Sequence, residues 1–172
     1  MQMSLPILLL PIFALTGCQW RVDSFHDTRA LTAERRAAVE GQVRRFAGAV
    51  AHDVTQDGPA AWGKYFSGSP DFFMAVNGKL AFPDGQAAAQ ALPEIARVYK
   101  QIELHWGGDL RVDALTPELA AMATPYEEAI DYADGHHEAA SGYFTSVVEL
   151  QNGKWEFRDA HWSAPVTAAE AP

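Results

Sequence analysis

Cysteine is nearly absent from this chain. Cys18 stands alone, so no internal disulfide can form. Positive charge is also scarce. Lysine and arginine total 13 against 22 aspartates and glutamates, for a formal net charge of −9. That balance argues against nucleic acid, whose phosphates need a basic footprint, and against a polybasic membrane-surface patch. The apolar run at residues 5–15 is interrupted by Pro6 and Pro11 and falls short of the ~20 residues a spanning helix needs. There is no phosphate loop, nucleophile elbow or zinc-binding helix motif, and no metal or cofactor is expected. Internal repeats and low-complexity tracts are lacking as well.

What remains describes one globular domain. A length of 172 residues suits a single domain with a full core. Five tryptophans fit an aromatic-lined interior.

The first 17 residues carry no charged side chain, and their apolar run matches the core of a secretory signal. It ends at Leu15-Thr16-Gly17-Cys18, which resembles the lipobox of bacterial lipoproteins, although no lysine or arginine follows Met1. The resemblance implies cleavage before Cys18, lipidation of its thiol and acylation of the new amino terminus. Several acyl chains would give stable anchoring where one gives only marginal binding. Gln19 after the cysteine implies, by the same resemblance, the periplasmic side of the outer membrane. A plain secretory signal is the alternative. Residues 18–31 read as a tether.

Thr32 can cap a helix whose apolar stripe is Val39, Val43, Phe46, Val50 and Val54. Asp57-Gly58-Pro59 ends it and opens a shorter helix, with Trp62 and Phe66 on one side. Residues 71–82 form a hairpin around Asn77-Gly78. Asp84 caps a third helix over about residues 85–100, with Ala87, Ala91, Ile95 and Val98 as its stripe and Pro93 as a kink or joint. Three long strands follow. The first covers residues 102–115 and is interrupted at Gly107-Gly108. The second covers residues 119–132, where Pro125 suggests a bulge. Asp134-Gly135 turns it into the third. Residues 166–172 read as a disordered tail, and the domain as residues 32–165. The fold class is α+β, with about three N-terminal helices packed on one face of a curved, mostly antiparallel sheet.

The organising stretch is residues 142–163. Asn152-Gly153 is a strong hairpin signal, and a two-residue turn sets Leu150 opposite Trp155, Val148 opposite Phe157, Ser146 opposite Asp159 and Phe144 opposite His161. With side chains alternating faces, Phe144, Val148, Leu150, Trp155 and Phe157 face the core. Asp159, His161 and Ser163 share that face where the apolar residues stop. An apolar base with a polar mouth is how a pocket reads in a sheet. On a two-residue Asp134-Gly135 turn, Glu127 joins them. His105 and Trp106 point to opposite faces, and one of them looks into the pocket. Tyr126, Tyr143 and Trp162 then form an aromatic group on the outer face, suited to a dimer contact. His136-His137-Glu138 reads as a solvated turn, since adjacent strand residues cannot easily share a metal.

Taken in order, the long first helix, Asp71-Phe72-Phe73-Met74-Ala75-Val76-Asn77-Gly78, Phe82-Pro83-Asp84-Gly85, Asp134-Gly135, Gly142-x-x-Thr145, Asn152-Gly153-Lys154-Trp155 and His161-x-Ser163 resemble the SnoaL-like branch of the nuclear transport factor 2-like superfamily. The resemblance covers residues 33–165. It implies a cone whose bent sheet wraps the helices around a deep pocket, often with dimerisation through the outer sheet face. The superfamily holds isomerases, dehydratases and hydrolases beside binding modules. The resemblance implies that an enzyme of this kind would use His161 as base with Asp159 orienting it. The ligand pocket is expected to comprise His161, Asp159, Ser163, Ser146, Glu127, Phe144, Phe157, Trp155 and His105, taking a small, mostly apolar molecule.

Overall fold

A computed structural model describes residues 31–165. The expected signal peptide, Cys18, most of the tether and residues 166–172 lie outside them. Helix α1 (Ala33–Asp57) begins where the Thr32 hydroxyl accepts the Arg35 N–H at 3.2 Å, which satisfies one of the orphan amides of a helix start. All five residues of its expected stripe are buried. Gly58, at φ 75°, stops it, and Pro59 opens a 3-10 turn (Pro59–Lys64) in place of the second α-helix. Trp62 in that turn stacks on Phe66, with centroids 5.4 Å apart.

Helix α2 (Gly85–Val98) is capped by Asp84, whose carboxylate accepts the Ala87 N–H at 2.7 Å. It runs through Pro93 without ending. Its buried face is Gly85, Ala88 and Leu92, one position away from the expected stripe, and Val98 is exposed. Among the described residues no helix is long and apolar enough to cross a membrane.

The strands are β1 (Phe73–Val76), β2 (Lys79–Phe82), β3 (Tyr99–Trp106), β4 (Arg111–Thr116), β5 (Leu119–Tyr132), β6 (His137–Gln151), β7 (Lys154–Phe157) and β8 (Asp159–Ser163). They form one curved sheet in the order β2-β1-β8-β6-β5-β3, with β4 on β5 and β7 on β6. Among these eight strands only the β1–β8 pair is parallel. The helices pack on the concave side, and the core runs from α1 through Phe144, Phe157 and Trp162. Both Asn-Gly turns form as read. Asn77 (φ 49°) with Gly78 (φ 77°) and Asn152 (φ 51°) with Gly153 (φ 79°) take the left-handed conformations of a type I′ turn.

Two register slips separate the structure from the sequence reading. The β5–β6 turn closes on Tyr132 and His136, whose O accepts the Tyr132 N–H at 2.8 Å, with Ala133, Asp134 and Gly135 between them. Gly135 takes φ 90°, as the last residue of such a loop requires. Glu127 therefore pairs with Ser141, and Glu128 with Ala140. Because strand faces alternate with period two, one residue reverses every side chain. Glu127 turns outward, and Tyr126 and Glu128 turn inward. Pro125 makes no bulge in this ladder, where it pairs with Tyr143 in continuous register. On its other side the β3–β4 line is interrupted, and Pro125 O accepts the Gly107 N–H at 2.8 Å.

The second slip is a bulge at Arg158. Strand β7 pairs as expected, with Leu150 opposite Trp155 and Val148 opposite Phe157. Then Arg158 donates its N–H to Val147 O at 2.9 Å, while Val147 N–H turns to the Asp159 side chain at 2.9 Å. Beyond the bulge Phe144 faces Trp162 and Thr145 faces His161. Ala160 and Trp162 are buried on the inner face, so Asp159, His161 and Ser163 belong to the outer one.

Candidate functional site: a cavity in the concave face

Between α2, the 3-10 turn, the β1–β2 hairpin and the inner faces of β3, β5, β6 and β8 lies a cavity of about 500 Å³. Its walls are mostly apolar: Trp62 and Phe66 from the turn, Leu92 and Ile95 from α2, Ile102 and Ile130 from the sheet, and Trp162 from β8. Trp162 anchors an aromatic cluster. It meets Tyr126 edge to face at 4.7 Å, stacks on Trp106 at 5.7 Å and stands perpendicular to Trp62 at 5.6 Å. Gly142 of β6 makes this packing fit. A Cβ there would come within 1.9 Å of Ser163 O and 3.0 Å of the Tyr126 ring.

The polar lining consists of Tyr99, Tyr126, Asn77, Glu128 and Glu138. Asn77 fastens β8, with its N–H donating to Trp162 O at 2.9 Å and its side-chain oxygen accepting Ala164 N–H at 2.7 Å. Glu138 is exposed and accepts the Tyr132 hydroxyl at 2.7 Å, a bond that pushes the Tyr132 phenol up. Glu128 differs. It is partly buried, and burial alone pushes its carboxyl up to about 7. No donor or cation among the described residues opposes that shift. Burial, then the Glu128 charge, raises the neighbouring Tyr126 phenol. Glu128 is the cavity carboxyl the sequence reading missed. Its signal was present in two consecutive glutamates, but choosing between them required the turn length.

The expected site residues divide. Phe144 and Phe157 point inward and are fully buried, but as core rather than cavity wall. Ser146 is buried too, donating to Asp159 O at 2.6 Å. Trp155 is half-buried at the far end, with its indole N–H on Gln42 at 3.1 Å. The remaining polar candidates are on the outer face. His161 is exposed. Asp159 is occupied by Val147 N–H, and burial raises its pKa against that bond and the Arg158 and His161 charges. No hydrogen bond joins Asp159 to His161 among the described residues. His105 is exposed and bonded to Glu103 at 2.9 Å, whereas Trp106 turns inward and donates to Ala47 O at 2.8 Å. His105, Glu127, Tyr143 and Ser163 line an outer groove of about 720 Å³. Of the expected outer aromatic group only Tyr143 is exposed; Tyr126 and Trp162 are buried. No metal-binding group of three or more candidate ligands occurs among the described residues.

No family model and no curated protein sequence matches the chain. Solved structures do. A nuclear transport factor 2-like superfamily protein of Salmonella enterica superposes with a TM-score of 0.64 at 12% identity, covering 77% of this chain and 94% of that one. A candidate scytalone dehydratase of Novosphingobium aromaticivorans gives 0.66 at 14% identity, over 78% and 89%. A hexachlorocyclohexane dehydrochlorinase gives 0.54 at 11% identity, over 72% and 86%. The chain has the nuclear transport factor 2-like fold. At these identities the likeness concerns the fold alone. Within it, the cavity of this nuclear transport factor 2-like domain can enclose a small apolar body and present one carboxyl able to give or take a proton near neutral pH.

Proposed function

We propose that this protein is held at the bacterial cell envelope by lipid on Cys18, on the periplasmic side of the outer membrane, and that its domain binds a small, mostly apolar molecule in the concave cavity. The observation that carries the binding reading is the cavity itself, about 500 Å³ of mainly apolar and aromatic wall with Glu128 inside it. That volume falls in the ~300–1,000 Å³ range of ligand sites. The anchor reading rests on Leu15-Thr16-Gly17-Cys18. A thermal-shift screen of small apolar metabolites tests the binding reading. A ligand at a hundredfold its Kd stabilises by ~2.7 kcal/mol, and Trp162→Ala should abolish that shift. Absence of any stabilising compound counts against it. Labelling with radioactive palmitate tests the anchor, with Cys18→Ser expected to lose the label.

A second reading is acid-base catalysis in the same cavity. Glu128, raised to about 7, favours it, because a proton-transfer group works best with a pKa near the ambient pH. His161 and Asp159, which point away from the cavity, do not support it. Loss of turnover in Glu128→Gln with ligand binding retained would mark an enzyme; equal loss of both would mark a binding site.

A further inference from the structure

Taking the cavity to be a ligand site, as proposed above, its chemistry narrows the class of ligand. We propose that it takes an organic cation, an apolar body bearing a single ammonium group placed against Glu128 among aromatic rings. Three features carry this. First, no lysine, arginine or histidine lines the cavity among the described residues, while Glu128 and Glu138 do. An anionic ligand would meet only like charge. Second, Trp62, Phe66, Tyr99, Tyr126 and Trp162 contribute to the wall. The faces of such rings are electron-rich and attract a cation stripped of water. Third, the Glu128 carboxyl is partly buried on the cavity wall and has no hydrogen-bond donor or cation beside it among the described residues. A buried charge without a partner is costly, and an ammonium group would supply both the opposite charge and hydrogen-bond donors.

A neutral ligand would instead leave Glu128 protonated, donating to a carbonyl or hydroxyl. The two cases differ in their proton balance. A cation selects the ionised carboxylate, so its binding below pH 7 releases a proton from Glu128. A neutral acceptor selects the protonated form. The other titratable groups lining the cavity are Tyr99, Tyr126, whose phenol burial and the Glu128 charge raise, and Glu138, which is exposed and already bonded to Tyr132.

The test compares 4-phenylbutylamine with 4-phenylbutan-1-ol, matched in shape, on the full chain by titration calorimetry between pH 5 and 8. Buffers of different ionisation enthalpy report the proton count. The amine is expected to bind about tenfold tighter than the alcohol at pH 7.5, to gain affinity as pH rises and to release a proton below pH 7. Glu128→Gln, nearly isosteric and checked for folding by circular dichroism, should bring the two ligands within about twofold. Equal or tighter binding of the alcohol, or an amine preference unchanged in Glu128→Gln, overturns the proposal while leaving the cavity a ligand site. Binding of neither compound overturns it together with the cavity reading.

Discussion

The Val147 N–H donates to the carboxylate of Asp159 at 2.9 Å, where a regular ladder would offer a backbone carbonyl. One side chain thus completes the bulge at Arg158 and reverses the faces of everything after it. Asp159→Ala leaves Val147 N–H without this acceptor and should cost about 1–3 kcal/mol. Asp159→Asn keeps an oxygen in place and should cost less. Urea unfolding of both variants checks this, and equal losses would contradict the acceptor role.

Glu128 sets a pH dependence. Its carboxyl is raised from an ordinary 4.5 to about 7 in the fold, so the folded state holds its proton where the unfolded chain has lost it. Its contribution to stability falls as pH rises from 4.5 to 7 and then levels off. Glu128→Gln should match the wild type below pH 4 and exceed it above pH 7.5, by on the order of 3 kcal/mol at most. Thermal midpoints measured across pH 4–8 reveal whether the slope is shallower in Glu128→Gln than in the wild type.

Gly142→Ala should be among the most damaging small substitutions. Its methyl would need the space of Ser163 O, 1.9 Å away, which belongs to backbone and cannot swing aside. A cost of about 1–3 kcal/mol or more is expected, with faster amide exchange in β8 than in β3. Uniform exchange across the sheet would argue against this local cause.

Trp162→Ala removes the ring shared by Tyr126, Trp106, Trp62 and Phe144. The loss should be about 3–5 kcal/mol. Trp162→Phe, which keeps an aromatic face, should retain most of it. Guanidinium midpoints at constant slope separate the two.

Much of the fold was legible because its signals are local. Thr32 and Asp84 cap the helices they precede, and each Asn-Gly pair makes the turn its left-handed preference allows. The candidate site was less legible because it depends on counting. An extra residue in the turn after Tyr132 exchanges Glu127 for Glu128, and another at Arg158 exchanges His161 for Trp162. Neither leaves a hydrophobic gap in the sequence, since each strand carries acceptable residues at both parities. Asp159, whose carboxylate replaces a backbone acceptor, resembles any polar strand end until its partner is known.

The parallel pairing of β1 with β8, Phe73 beside Asp159 through Val76 beside Trp162, imposes an order of assembly. The β1–β2 hairpin can close on itself as soon as it is made. It has no place in the sheet until the final strand of the domain exists to receive it. Contacts this distant along the chain slow folding, and for that interval the hairpin offers an open strand edge to any neighbour. Strand β8, the last of the described strands, therefore decides when β1 and β2 become safe from mispairing.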